Sequence, residues 1–453
     1  MEKEREMSFF KAYDMRGTFG TDFDLDVVWR IGRALPDVVA RGRWLVGRDA
    51  RASSPAVRDA LVAGLSAAGV EVVDIGLATT PMVYFFTAED GFDGSVMITA
   101  SHNPPSDNGL KVSRKGAVPV GLSSGLAEVE RIVAAMPKGS WSGSGAHGAD
   151  ATTPDLLHRY CSWLRSHSGG TLEGLRFAVD CSDGMASLIA HDLFPGAVFL
   201  NDVPDGTFPH HAPNPLLADA RAQLAECVHS NGLDCGVIFD GDADRCMFVD
   251  ETGAFIQPDY LIPVLAGTFA EKGKVIHDVR TSRAAIEAIR GMGLEPVMGK
   301  VGHAFAKMLL RETGAVCGGE LAGHYYFRDF HFCDSGELAA LRILSAFAAA
   351  RRRGTKVSEL LAPITRKYAN SGEMNFKVSD KPAAIARVLA AAEKFGREVS
   401  RETMDGVRVE FDEGWISVRQ SNTEPYLRLL AECDTSARLE AWTKSMKAAV
   451  AET

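Results

Sequence analysis

Apolar residues recur every three or four positions along several stretches of the chain, and short β-branched runs follow some of them. Residues 25–42 (LDVVWRIGRALPDVVARG) and residues 53–69 (SSPAVRDALVAGLSAAG) show this helical spacing, and the second stretch begins with Ser-Pro and ends at Gly69. The run VEVVDIG that follows predicts a buried strand. LLADARAQLAECVHSNG, followed by CGVIFD, repeats this order at residues 216–240. Helices that alternate with strands predict α/β layers with at least partly parallel sheets.

Four strand-like runs end in a polar loop. SVMITA leads into SHNPPSDNG, CGVIF into DGDADR, GAVC into GGELAGH, and WISV into RQSNTEP. In open α/β sheets, ligands bind at the carboxyl ends of the strands. The four loops therefore predict four modules that face a shared cleft.

Composition shifts along the chain predict where these modules end. The stretch at 136–150 (MPKGSWSGSGAHGAD) is rich in Gly and Ser and is a candidate linker. Less distinct domain boundaries are predicted near 257–260 and 367–374, where helix-like segments are followed by new strands. The predicted domains are 1–150, 151–256, 257–366 and 367–453, and each carries one of the four loops.

Charge and cysteine usage restrict the class of protein. The net charge of −10 disfavours a general nucleic-acid binder, whose binding surface would be basic. The eight cysteines are scattered without a C-x-x-C pair, which favours reduced thiols. The first residues lack a signal-peptide core, and no apolar run approaches the roughly 18 residues that a membrane span needs. We expect a cytoplasmic protein with no membrane or nucleic-acid partner.

The first loop, ITASHNPPSDNGLKV, has two interpretations. Asn-Pro and Ser-Asp pairs form turns, so this stretch is typical of a strand end followed by a turn. Alternatively, a rigid turn presents the Ser101 hydroxyl for covalent chemistry.

The second loop, DGDADR, places Asp240, Asp242 and Asp244 directly after a strand. Three carboxylates this close repel one another unless a cation neutralises them, and hard oxygen ligands suit Mg²⁺. An EF-hand is excluded because its turn-forming Gly is replaced by Arg245 and because a strand, not a helix, precedes the loop. A solvated acidic turn remains the alternative.

The remaining loops carry donors that suit an anionic sugar. VRQSNTEPYLRL places two guanidiniums, hydroxyls and an amide around a turn. These donors could bind a phosphate, and a polar turn with solvated arginines is an equal interpretation. GGELAGHYYFRD contains Glu320 and His324, which could bind sugar hydroxyls. The alternative is a turn at the edge of the core in which His324 only hydrogen-bonds a backbone carbonyl. GKVGHAFAK adds Lys300, His303 and Lys307, for which a helix start is an equal interpretation.

TASHNP, DGDADR, GELAGH and RQSNTEP, in this order between about residues 9 and 440, resemble the α-D-phosphohexomutase superfamily. FKAYDMRG and HYYFRDFHFCDSG resemble its bacterial phosphomannomutase/phosphoglucomutase branch. The resemblance implies four domains around a central cleft: three related α/β domains with mixed sheets and a C-terminal α+β domain.

The same resemblance assigns roles to residues. It implies that Ser101 carries a phosphate, and that a phosphoserine oxygen, Asp240, Asp242 and Asp244 hold Mg²⁺. It implies that Glu320 and His324 bind the sugar, and that the distal phosphate is bound by Arg419, Ser421, Asn422, Thr423 and Arg428. Further active-site positions are Tyr13, Arg16, His102, Lys111, Arg245, Arg280 and His303, with His102 and Lys111 as acid/base candidates. Two positions depart from the family pattern: Ala322 replaces a common serine, and Arg280 a common lysine.

The implied activity is the reversible interconversion of hexose 1-phosphates and hexose 6-phosphates, of mannose and glucose, through a phosphoserine enzyme and a hexose 1,6-bisphosphate. Glucose 1,6-bisphosphate or mannose 1,6-bisphosphate would be the activator, and the protein would be a monomer or a homodimer. A phosphoglucosamine mutase and a Mg²⁺-dependent sugar phosphatase are the alternatives. A catalytically silent sugar-phosphate sensor is disfavoured because every chemical position is filled.

Overall fold

The computed structural model describes residues 9–141, 143, 153–420 and 426–451, so much of the candidate linker at 136–150 lies outside the described residues. None of the helices in those ranges combines the length and apolar character needed to cross a bilayer.

The first sheet has six strands: β1 Met15–Thr18, β2 Arg43–Arg48, β3 Glu71–Leu77, β4 Gly94–Ile98, β5 Asp107–Arg114 and β6 Val118–Pro119. Its order is β1-β5-β4-β2-β3, with β6 beside β5. β2 runs parallel to β3 and β4, whereas β5 is antiparallel to β4 and β1. The helices of this part are α1 Leu25–Val38, α2 Ser54–Ala67, α3 Thr80–Glu89 and α4 Leu126–Ala135. The two helices and the strand predicted between residues 25 and 76 are confirmed as α1, α2 and β3.

The second sheet repeats this arrangement. Its strands are β7 Phe177–Asp180, β8 Val198–Leu200, β9 Cys235–Phe239, β10 Cys246–Asp250 and β11 Phe255–Ile256, in the order β11-β10-β9-β7-β8. β7 is parallel to β8 and β9, and the β9–β10 and β10–β11 pairs are antiparallel. The accompanying helices are α5 Pro154–Ser166, α6 Ala190–Leu193 and α7 Ala218–Ser230.

The third sheet has the same mixture. Its strands are β12 Lys274–Asp278, β13 Glu295–Gly299, β14 Cys317–Gly319, β15 Tyr325–Phe327 and β16 Cys333–Asp334, in the order β13-β12-β14-β15-β16. The first three are parallel and the last two pairs antiparallel. The helices are α8 Leu261–Ala266, α9 Arg283–Gly291, α10 His303–Thr313, α11 Gly336–Arg352 and α12 Val357–Thr365. The expectation of three related α/β domains with mixed sheets is confirmed.

The C-terminal part is built differently. Its strands are β17 Ala369–Asn370, β18 Met374–Lys377, β19 Glu398–Glu402, β20 Val407–Phe411, β21 Gly414–Gln420 and β22 Tyr426–Cys433, and every pair is antiparallel. Helices α13 Lys381–Ala392 and α14 Ser436–Ala451 pack on this sheet, as expected for an α+β domain. The domain boundaries derived from the sequence stay predictions.

One apolar core runs through the first three domains. Phe85 from α3, Tyr160 from α5 and Phe330 before β16 meet with ring centroids 5.3–6.4 Å apart. The C-terminal domain has its own core and contacts the third domain through a small cluster of Leu321, Trp415 and Leu430. Continuous packing of this kind fixes the loops at the strand ends against one another, which is what a multi-loop site requires.

Candidate active site

Ser101 lies on a turn that starts three residues beyond the end of β4. Its φ of 52° is in the left-handed region, and its backbone N–H donates to Thr99 Oγ1 over 2.8 Å. The Ser101 hydroxyl donates to Asp240 Oδ2 over 2.7 Å. The first loop (SHNPPSDNG, the serine loop) and the second loop (DGDADR, the carboxylate loop) therefore meet at this serine, although Ser101 and Asp240 are 139 residues apart in sequence.

Arg51, which the sequence analysis missed, holds the turn in place. Its guanidinium is buried and donates to the backbone carbonyls of Ser101, Asn103, Pro104 and Asp107, at 2.5–2.9 Å. Asp49 Oδ2 accepts from Arg51 Nε at 3.1 Å and fixes the arginine in turn. One side chain thus satisfies four carbonyls of an irregular loop that could not pair in a sheet.

The three carboxylates of the second loop are fully buried, so the interpretation of DGDADR as a solvated turn is wrong. Asp240, Asp242 and Asp244 each present an oxygen within 4.8 Å of the other two. Asp242 Oδ1 and Asp244 Oδ1 have no hydrogen-bond partner among the described residues. Thr80 at the start of α3 donates to Asp242 Oδ2 over 2.6 Å, which orients that carboxylate.

Lys111 compensates part of this negative charge. It lies on β5, opposite Met97 of β4, and its ammonium contacts Asp242 Oδ2 at 2.7 Å and Asp244 Oδ2 at 2.5 Å. Burial alone would lower the pKa of Lys111, but the charges of Asp242 and Asp244 raise it overall. Lys111 is therefore a cation at neutral pH, and in this arrangement it donates hydrogen bonds instead of accepting a proton.

His102 and Arg245 flank the serine oxygen. His102 Nδ1 lies 3.3 Å from Ser101 Oγ, as does Arg245 Nη2, and the same guanidinium contacts His102 Nδ1. Burial and the charges of Arg245 and Arg16 hold the pKa of His102 well below its usual range, so its imidazole is neutral. Arg16 on β1 donates to the Ala100 carbonyl over 3.4 Å, next to Ser101, and forms an ion pair with Asp14.

Glu320 and His324 belong to the third loop, which packs against the second loop. Glu320 Oε1 accepts from the Gly302 N–H at 2.6 Å, and Oε2 accepts from the Tyr326 hydroxyl at 2.5 Å. His324 Nδ1 lies 2.7 Å from Asp334 Oδ2 and 3.7 Å from Asp244 Oδ1. The third loop (GGELAGH) and the carboxylate loop are thus in contact, and His324 pairs with a carboxylate instead of a backbone carbonyl.

A buried ion pair lies behind His324. Lys307 Nζ contacts Asp334 Oδ1 at 2.7 Å, both side chains are fully buried, and the ammonium stacks 3.6 Å from the Tyr84 ring centroid. Burial alone would raise the pKa of Asp334, but the charge of Lys307 and the contact with His324 hold it well below the usual range. Asp334 therefore stays ionised and fixes the position of His324.

His303 lies between Tyr13 and His324. His303 is the first residue of α10, and its ring lies 5.9 Å from both the Tyr13 and the His324 ring centroids. Within the described ranges, neither ring nitrogen of His303 has a hydrogen-bond partner, and burial holds its pKa well below the usual range. The Tyr13 hydroxyl donates to the Val301 carbonyl at 3.1 Å. Lys300 instead stacks on Phe305.

Three guanidiniums, which we call the arginine cluster (Arg280, Arg419 and Arg428), converge near the C-terminal sheet. Arg419 on β21 and Arg428 on β22 are register partners, so they lie on paired strands on either side of residues 421–425. All three contact the carboxylate of Glu373. Arg280 also forms a two-point contact with Asp278, through Nε at 3.2 Å and Nη2 at 2.7 Å, which the lysine common at this position could not make. Ser421, Asn422 and Thr423 lie outside the described residues.

Comparison with known proteins identifies the family. Profiles of the phosphoglucomutase/phosphomannomutase family match residues 7–138, 159–253 and 257–368 (alpha/beta/alpha domains I, II and III) and residues 373–449 (C-terminal domain). The chain belongs to the phosphoglucomutase/phosphomannomutase family. As a member of this family it is a phosphohexomutase, an isomerase.

Individual relatives agree with this placement in the phosphoglucomutase/phosphomannomutase family. The chain is 39% identical over 437 residues to phosphohexose mutases of Xanthomonas campestris pv. campestris, covering 95% of this chain and 96% of the relative. It is 36% identical over 440 residues to a phosphomannomutase of Salmonella montevideo, covering 94% and 95%. The X-ray structure of a phosphoglucomutase/phosphomannomutase family protein from Burkholderia thailandensis superposes with a TM-score of 0.83, at 32% identity and 98% coverage of both chains.

The carboxylate loop of this family member has the donors that a hard divalent cation requires. The three aspartates offer only oxygen ligands, and two of the buried oxygens lack a hydrogen-bond partner in the described part of the chain. Mg²⁺ prefers such carboxylate oxygens. The residues therefore fit the ion that the sequence predicts.

Sequence reasoning missed four residues that shape the site: Arg51, Thr80, Asp334 and Glu373. The position of Arg51 could have been recognised from the sequence. The strand-like WLVGR is followed by the polar DARASSP, just as a strand-like run precedes each of the four recognised loops. Asp334 and Glu373 had weaker signals, since FCDSGE is typical of a helix cap and NSGE of a turn.

Proposed function

We propose that the protein is a phosphomannomutase/phosphoglucomutase that interconverts the 1-phosphates and 6-phosphates of mannose and glucose through a phosphorylated Ser101. The observation that carries the proposal is the contact of Ser101 Oγ with Asp240 at 2.7 Å, inside a buried group of three carboxylates and two cations. A hydroxyl beside a cation site and positive side chains can hold a phosphoryl group and release it to another hydroxyl.

In the forward half-reaction, a sugar hydroxyl attacks the phosphorus on Ser101, the bond from phosphorus to Ser101 Oγ breaks, and a bond to the sugar oxygen forms. The proton of the sugar hydroxyl returns to Ser101 Oγ by way of neutral His102, whose Nδ1 is 3.3 Å from that oxygen. Arg245, Arg16 and Lys111 neutralise the equatorial oxygens of the transferred group. Mg²⁺ held by Asp240, Asp242, Asp244 and the phosphoserine would supply further charge stabilisation.

The product of this step is a hexose 1,6-bisphosphate, which turns end for end before its other phosphate returns to Ser101. Either phosphate must then bind the distal site, for which the arginine cluster, together with Ser421, Asn422 and Thr423, provides the donors. Glu320, His324, His303 and Tyr13 would bind the sugar between the two phosphate positions. Glucose 1,6-bisphosphate or mannose 1,6-bisphosphate would start the cycle, because an unphosphorylated serine has no group to transfer.

The arrangement favours a mutase over a phosphatase. A phosphatase needs only one phosphate position and an activated water, whereas here a second group of three guanidiniums lies outside the serine loop. All eight cysteines are unpaired, which suits the proposed cytoplasmic location.

The test is a side-by-side assay of the purified enzyme on mannose 1-phosphate, glucose 1-phosphate and glucosamine 1-phosphate, primed with the same bisphosphate, with and without chelator. We expect the two hexoses to agree within about tenfold in kcat/KM, because one ordinary hydrogen bond at C2 is worth about 0.5–1.5 kcal/mol. The amino sugar should be much poorer, and EDTA should abolish turnover until Mg²⁺ is restored. A thousandfold hexose preference, an amino-sugar preference or full activity in chelator would contradict the corresponding part of the proposal.

A further inference from the structure

Glu373 lies at the centre of the arginine cluster. Its Oε1 accepts from Arg428 Nη1 at 2.9 Å, and its Oε2 lies 3.2 Å from Arg280 Nη1 and 3.4 Å from Arg419 Nη2. Burial alone would raise the pKa of Glu373, but the three guanidiniums lower it overall, so the carboxylate is ionised. One internal anion therefore binds donors from the third domain and from two strands of the C-terminal domain.

These contacts use the donors that an incoming phosphate would need. Arg280 has already committed Nε and Nη2 to Asp278, which leaves Nη1 as the atom that points toward Glu373. Arg419 is buried and has Asp405 as a more distant neighbour at 4.0 Å. The convergent face of the arginine cluster is thus occupied by a carboxylate of the same chain.

We propose that Glu373 is an internal counter-ion that occupies the distal phosphate position and is displaced when a phosphosugar binds. The inference rests on the proposed function, because it takes the arginine cluster as the site of the non-reacting phosphate. A phosphate monoester carries a charge of about −1.5 to −2 and three terminal oxygens, so it can replace a singly charged carboxylate on three guanidiniums.

Such a counter-ion has a purpose in a reaction whose intermediate must turn around. When the bisphosphate releases its distal phosphate, three guanidiniums that are partly withdrawn from water lose their partner, and unpaired buried charge is costly. Glu373 can return to the cluster during the turn and lower that cost. Removing it should therefore strengthen ground-state binding and slow the turn, so that KM and kcat fall together.

The test measures binding of glucose 6-phosphate and of inorganic phosphate by calorimetry to dephosphorylated wild type and to two variants. Glu373→Gln removes the charge and keeps the shape, whereas Glu373→Asp keeps the charge and shortens the reach by one methylene. If Glu373 pairs with the cluster in nine of ten free molecules, losing that contact improves the apparent Kd by about tenfold. We expect both variants to bind glucose 6-phosphate about tenfold more tightly. Asp412→Asn, an exposed carboxylate of the same domain that pairs with Arg397, is the matched control and should bind as wild type does.

Other outcomes overturn the inference. Tighter binding by Glu373→Gln alone would reveal a general charge effect, and weaker binding by both variants would make Glu373 a residue that positions the arginines. Unchanged affinity in both would remove any role in binding. Failure of the proposed function would appear separately, as a wild type that binds inorganic phosphate but neither binds nor converts hexose phosphates.

Discussion

At the scale of single residues, the site contains backbone conformations that ordinary residues adopt rarely. Ser101 has a φ of 52° and Ala243, between two of the aspartates, has a φ of 62°. Left-handed conformations cost a non-glycine residue on the order of 1–3 kcal/mol and persist where surrounding contacts enforce them. Here the turn of Ser101 is held by Thr99 and Arg51, and Asp240 accepts the Ala243 N–H through its carbonyl at 3.1 Å.

Replacing the hydroxyl of Ser101 tests whether this side chain takes part in covalent chemistry. Ser101→Ala should lower kcat roughly 10³-fold or more, because alanine can neither accept nor donate a phosphoryl group. Binding of glucose 6-phosphate should survive, since the arginine cluster lies on other elements. Ser106→Ala, an exposed serine of the same loop, is the control and should turn over normally. Near wild-type turnover by Ser101→Ala would exclude a phosphoserine intermediate.

At the scale of elements, patterns within one stretch of sequence predicted helices and strands, whereas contacts between distant stretches were largely missed. Helices α1, α2 and α7 follow from apolar residues at three- and four-residue spacing, and strands β3 and β9 follow from short apolar runs. The strand that carries Arg419 extends to Gln420, past the predicted end, because pairing with β22 continues through Gln420 and Leu427. The contacts of Arg51, Asp334 and Glu373 join separate elements of the fold, and no local pattern encodes such partners.

The conformation of the serine loop depends on Arg51, and the stability of Arg51 variants measures how much. Arg51→Ala leaves Asp49 buried without its cation and frees four carbonyls, so we expect a loss of about 3–5 kcal/mol in the free energy of unfolding. Arg51→Lys should recover only part of it, because an ammonium cannot reach all four carbonyls at once. Denaturant titration gives the stability, and kcat should fall with it. Arg41→Ala, which removes an exposed pair with Asp37, should change stability by under about 1 kcal/mol. Equal effects at the two positions would mean that the loop is held by other contacts.

At the scale of the whole molecule, the first three domains share buried polar groups as well as an apolar core. Glu337, at the start of α11 in the third domain, is almost fully buried and accepts from the Ser335 hydroxyl at 2.8 Å. Its surroundings include Thr79 of the first domain and Tyr160 of the second. Neither partner was predictable from the sequence, because the junction exists only once three domains have packed.

This junction makes stability depend on pH. Burial raises the pKa of the Glu337 carboxyl to about 8, whereas an unfolded glutamate titrates near 4.3. Between these values the native state holds a proton that the unfolded state has lost, so the stabilising contribution is complete at low pH and falls as pH rises to about 8. Because the native carboxyl ionises near pH 8, the loss of stability between pH 6 and pH 9 builds up over about two pH units and amounts to roughly 3 kcal/mol. Glu337→Gln keeps the neutral shape at every pH, so its Tm should rise relative to wild type by about 3 °C between pH 6 and pH 9. Glu128→Gln, at an exposed pair with Arg131, should show no such trend. Parallel melting curves of Glu337→Gln and wild type across this range would mean that the native carboxyl is already ionised at pH 6.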